Sequence, residues 1–148
     1  MAEQINNIVL ILCAINFIRI IYTDIKYRQI SNISNLTALG LIILCSYIFD
    51  FSLNITAAII ILFAGIILFY LGFIGGADVK LAVALSLAIT QSELFLWLFY
   101  TSIVGALQAL YTVFLAKITK NQSQIQKGVA YGVAIIFGFL MIIITRII

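Results

Sequence analysis

Long apolar runs separated by short polar breaks organise the whole chain. Six can be marked, at approximately 5–22, 34–49, 55–73, 79–90, 94–116 and 129–147. A helix needs about 20 apolar residues, with a range near 17–25, to cross the hydrocarbon core of a bilayer. Five of the runs are read as comfortable spans, 34–49 being the shortest of them. The fourth is short, held between Lys80 and Thr90-Gln-Ser-Glu93, and predicts a short span or a re-entrant helix. The chain contains no proline, so helix breaks must come from glycine or from polar loops. Phe73-Ile-Gly-Gly-Ala-Asp78 holds the only Gly-Gly pair and divides the third run from the fourth. Ser34 or Asn35 would cap the start of the second helix. There is no internal repeat, low-complexity tract or linker.

Charge placement turns these runs into a topology. With the N-terminus outside, successive loops alternate sides. The 23–33 loop then puts Lys26 and Arg28 in the cytoplasm, with Arg19 one turn above. The 74–80 loop adds Lys80, and the 117–128 loop adds Lys117, Lys120 and Lys127. Only Arg146, of eight basic residues, faces the other way. If the fourth run failed to cross, the three-lysine loop would be extracytoplasmic, against the positive-inside rule. The expected architecture is therefore all-α: one domain over 1–148, six transmembrane helices, and both termini extracytoplasmic.

Composition agrees with that and removes rival chemistries. The chain is 65% hydrophobic and 9% charged, far outside the soluble globular range. The net charge of +3 is scattered over the ends of apolar runs; it anchors topology and contacts anionic lipid, and it does not point to nucleic acid. The first residues carry Glu3 in place of a basic leader, and no small-residue cleavage pattern follows. Cys13 and Cys45 lie inside apolar runs, no CxxC pair exists and there is no histidine. That excludes a zinc site and a histidine-based hydrolytic triad. No metal and no cofactor are expected.

What remains is a pair of acids. Asp24, in Tyr22-Thr-Asp-Ile-Lys-Tyr-Arg28, and Asp78, in Gly75-Gly-Ala-Asp-Val-Lys80, are the two acids on the cytoplasmic side; Glu3, Asp50 and Glu93 fall outside. Carboxylates at membrane depth cost several kcal/mol unless hydrated, paired or protonated, so they are functional candidates. Brought together, two carboxylates cannot easily both ionise. One could take a proton from water while its protonated mate polarises a carbonyl, with neither histidine nor metal. Gly75 and Gly76 are expected to give the backbone positive φ and close approach beside Asp78, and Lys80 to snorkel to the interface. The bland alternative makes Asp78 a solvated loop acid and Asp24 one half of an i,i+4 ion pair with Arg28.

The motifs resemble those of the bacterial prepilin peptidases, membrane aspartic proteases of the GxGD type, and above all the short form serving tight-adherence (Flp-type) pili. In that family a first aspartate is followed by a basic residue and an Ile-Pro-Asn-like triplet. Asp24, Arg28, Ile30 and Asn32 match, with Ser31 replacing the proline. The second motif, Gly-x-Gly-Asp-Val-Lys-Leu, corresponds to Gly75 through Leu81, with Ala77 replacing its second glycine. A C-terminal Pro-Tyr-Gly-x-Ala-Ile corresponds to Ala130 through Ile135, which keeps all but the proline. The resemblance implies that Asp24 and Asp78 are catalytic and that Arg28, Asn32, Gly75, Gly76, Ala77 and Lys80 support them. It implies a prepilin substrate, a short basic leader followed by one apolar helix, cut after a glycine at the cytoplasmic face. Longer members add a domain with paired CxxC motifs that N-methylates the product; here cleavage alone is expected. Two other classes fit the acids: a small proton- or cation-coupled transporter or channel, and an inactive relative with a structural role. The oligomeric state is left open.

Overall fold

The computed structural model describes residues 2–119 and 129–147. Within them lie six helices and no strand: α1 (Ala2–Tyr27), α2 (Asn32–Ile48), α3 (Ile55–Tyr70), α4 (Gly76–Ser86), α5 (Leu94–Thr119) and α6 (Tyr131–Ile147). The order of the six apolar runs is kept, but their ends move. α1 continues five residues past its run, because Thr-Asp-Ile-Lys-Tyr contains no breaker. It stops where Arg28 enters the left-handed region at φ 54 and donates its N–H to the Asp24 carbonyl at 2.9 Å, a common helix C-terminal turn. α2 begins before the expected cap. Its N-cap is Ser31, whose side chain accepts from the Ser34 N–H at 3.1 Å. The serine that replaces the motif proline is thus a helix starter.

The helix ends gather at two poles. At one, the end of α1 meets the start of α6 through Asp24 and Val133, and the start of α2 meets the start of α4 through Asn35 and Ala77. At the other, the N–H of Asn54 before α3 donates to the Leu87 carbonyl after α4 at 2.8 Å. Arg146 near the end of α6 binds Glu93 before α5 there as well. Residues 76–93 therefore run from one pole to the other, although α4 itself has 11 residues and rises only about 16 Å.

α4 is the hub of the core. Leu81, Leu85 and Ser86 are fully buried, and α4 packs against α2, α3 and α6. Gly65 lets α3 approach it: a Cβ there would lie 2.6 Å from Val79 Cγ1. α5 packs against α6, where the buried Trp97 donates its indole N–H to the Ile135 carbonyl at 3.3 Å. Between α1 and α2 the free thiols of Cys13 and Cys45 face each other at 3.7 Å.

Outward faces are apolar. Ile59, Phe63 and Ile67 of α3 and Phe95, Phe99 and Leu110 of α5 are exposed, while Asn16, Asp24, Ser34 and Asn35 are buried. Exposed apolar surface of this extent marks a non-aqueous surrounding, as expected of a membrane protein. Glu3–Tyr27 and Leu94–Leu115 are long and apolar enough to cross a bilayer. Asn32–Ile48, Ile55–Tyr70 and Tyr131–Arg146 are apolar but shorter. That corrects the expectation that five helices have comfortable spanning length. Lys120 and Lys127 lie outside the described residues, as does the side chain of Lys117.

Candidate functional site

Asp24 and Asp78 line the same cavity, about 490 Å³ in volume, together with Arg28, Gln29, Ile30, residues 72–77, Val129 and Tyr131. Its walls come from the end of α1, the turn after it, the α3–α4 connection and the start of α6. The fold thus brings together two acids that the sequence separates by two whole helices, α2 and α3.

Asp24 does not sit in a loop. It occupies the last turns of α1 and is only 4% exposed. Its Oδ2 accepts the Val133 N–H at 3.2 Å, from the first turn of α6; the same N–H is shared with the Ala130 carbonyl, also at 3.2 Å. The Gly132 N–H acts electrostatically on both aspartates. The expected alternative, an Asp24–Arg28 ion pair, does not form; among the described residues the single ion pair is Arg146–Glu93. Arg28 lines the cavity instead.

Asp78 stands in the first turn of α4, ahead of the apolar run, and is half-buried. Its Oδ2 accepts the Gly75 N–H at 3.2 Å, so the side chain folds back over the helix start. A Cβ on Gly75 would lie 2.9 Å from that oxygen.

The Gly-Gly expectation needs correcting. Gly75 has φ −79 and caps α4 in an extended conformation, and Gly76 opens the helix. Neither adopts positive φ; among the described residues the left-handed glycine is Gly72, at φ 77, which closes α3. A glycine near the end of the third apolar run was the available signal for it. Ala77 is a helical residue in the first turn of α4 and has no positive φ, so an alanine fits where the motif carries glycine.

Lys80 and Asn32 are drawn out of the cavity and onto each other. Lys80 Nζ donates to Asn32 Oδ1 at 2.9 Å, tying α2 to α4. Lys80 therefore does more than snorkel. Asn35, read from the sequence only as a cap, is 5% exposed and donates its side-chain amide to the Ala77 carbonyl at 2.9 Å. It fixes the backbone beside Asp78. Lone polar residues inside an apolar run were the sequence signal for such a role.

A second, apolar cleft of about 420 Å³ lies between α3, α4, α5 and α6. It shares Ile74, Asp78 and Tyr131 with the acidic cavity. Small residues line much of it, among them Ala64, Gly65, Gly105 and Ala109.

The family model described as type IV leader peptidase family matches residues 10–110, a stretch that includes both aspartates. No curated protein and no solved structure matches the chain.

Proposed function

The chain belongs to the type IV leader peptidase family, and from that premise we propose that it is a membrane aspartic endopeptidase whose catalytic pair is Asp24 and Asp78. The observation that carries the proposal is the shared cavity: the two acids line one polar space and accept backbone N–H groups rather than cations. Such a pair holds one proton between two carboxyls. The ionised member takes a proton from a water molecule, which attacks the scissile carbonyl carbon. The protonated member donates to the carbonyl oxygen. When the resulting tetrahedral species collapses, the amine leaves with a proton returned by the pair.

The substrate is a prepilin, cut at the junction of a short basic leader and an apolar helix. The paired spaces suit such a molecule. The polar cavity places the two acids at the cut site, and the adjoining cleft has the apolar walls to receive the helix that follows. Asp78 and Tyr131 lie where the two meet. The acidic pole faces the cytoplasm, the chain crosses the membrane six times, and both termini are outside; the two-pole arrangement and the positive-inside rule support this orientation.

The test is co-expression with a tagged prepilin, following leader removal on a gel. Wild type removes the leader; Asp24→Asn and Asp78→Asn, each alone, do not. Normal cleavage by either variant would sink the paired-acid reading, and proton-coupled uptake into liposomes without cleavage would favour a transporter.

A further inference from the structure

The first turn of α6 lines the cavity and supplies the Val133 N–H that Asp24 accepts. It also lies outside the stretch that the family model matches. Yet the tightest packing around Asp24 occurs there. A Cβ on Gly132 would stand 2.7 Å from Asp24 Oδ2 and 2.6 Å from Ile30 Cδ1. Both separations are shorter than carbon contacts allow, so no other residue fits without moving the carboxylate, the isoleucine or the helix. The next residue supplies the N–H that Asp24 Oδ2 accepts.

We propose that Gly132 is a positioning residue for catalysis: its missing side chain lets the Asp24 carboxylate close onto the start of α6, where the Val133 N–H fixes its direction toward the cavity shared with Asp78. The inference rests on Asp24 being catalytic. A helix N-terminus favours a negative charge through its dipole, so this contact, which the Val133 N–H shares with the Ala130 carbonyl, both aims the carboxylate and suits its ionised form. An added methyl pushes the acid off the amide, and a misplacement of about 1 Å costs about 100-fold in rate.

The experiment uses purified full-length protein and the tagged prepilin. Three variants are compared with wild type: Gly132→Ala, Ile30→Val, and the double variant. Ile30→Val removes Cδ1, and with it the packing half of the clash, while leaving the carboxylate half untouched. Gly132→Ala is expected to lower kcat about 100-fold with KM within about twofold. In the double variant the melting midpoint recovers and kcat does not. If Gly132→Ala fails to accumulate, the double variant alone carries the measurement. A kcat within about twofold of wild type in Gly132→Ala, or recovery to the Ile30→Val rate in the double variant, overturns the proposal. So does a raised KM with unchanged kcat, which would make Gly132 a substrate contact. Loss of cleavage in Asp24→Asn is the reference; should that variant cleave normally, the paired-acid reading fails first and takes this inference with it.

Discussion

The two poles of the bundle use carboxylates in opposite ways. At one, Glu93 is saturated. Arg146 Nε donates to its Oε1 at 2.7 Å, and the Thr90 N–H and hydroxyl donate to its Oε2 at 3.0 and 2.6 Å. Arg146 also reaches the Ala88 carbonyl at 2.9 Å. These bonds, that of Arg146 foremost, hold the Glu93 carboxyl down at about 2. At the other pole, Asp24 and Asp78 receive backbone N–H groups and face open space. On the proposed function, the difference separates a clamp from a reactive site. A cation fixes a carboxylate in its charged form. Amides orient it and leave it able to trade a proton.

The hardest test of that contrast is removal of charge at each pole. Asp24→Asn or Asp78→Asn should lower cleavage about 1,000-fold, with melting midpoints close to wild type, because neither acid holds an ion pair. Titration comes next. The pair needs one proton between its two carboxyls. Initial cleavage rates should therefore fall as rising pH removes that proton, by about tenfold per pH unit once it is lost, whereas a profile that stays flat up to the pH of unfolding would break the shared-proton mechanism.

The clamp should respond in the opposite sense. Glu93→Gln leaves cleavage per folded molecule within about twofold and lowers stability by about 1 kcal/mol, since the pair is partly exposed and screened. Its pH dependence is also inverted. The Glu93 carboxyl lies below its unfolded value of 4.5, so its contribution is complete above about 4.5 and is lost as pH falls toward 2. Thermal melts of wild type and Glu93→Gln should converge over that window. The smallest effect is expected from Ala77→Gly, which restores the motif glycine. It should bring no rise in cleavage and a loss of about 0.5–1 kcal/mol, because Ala77 is helical and glycine weakens helices.

The six runs and their order were legible because lipid-facing helices need continuous apolar sequence. Their ends were not, since the local chemistry of Ser31, Arg28 and Gly72 decides them. Asp24 and Asp78 stood out as rare acids beside apolar runs, but their surroundings were misjudged. Asp24 was expected in a loop and lies within a helix. Gly75 and Gly76 were expected to supply a flexible backbone; they supply a helix start and room for the Asp78 side chain. The partners of Lys80, Asn35 and Asp24 are tertiary, and no local pattern encodes a contact such as Asp24–Val133, 109 residues apart.

That last contact has a consequence for biosynthesis. Asp24 leaves the ribosome early, and its anchor on α6 emerges only after the other five helices. Until α6 inserts and docks, the first carboxylate has no amide to hold it and the cavity lacks its Tyr131 wall. On the paired-acid reading, a nascent chain halted before α6 would carry both acids without the amide that aims the first. On the paired-acid reading, competence for cleavage therefore waits until α6 has docked against α1.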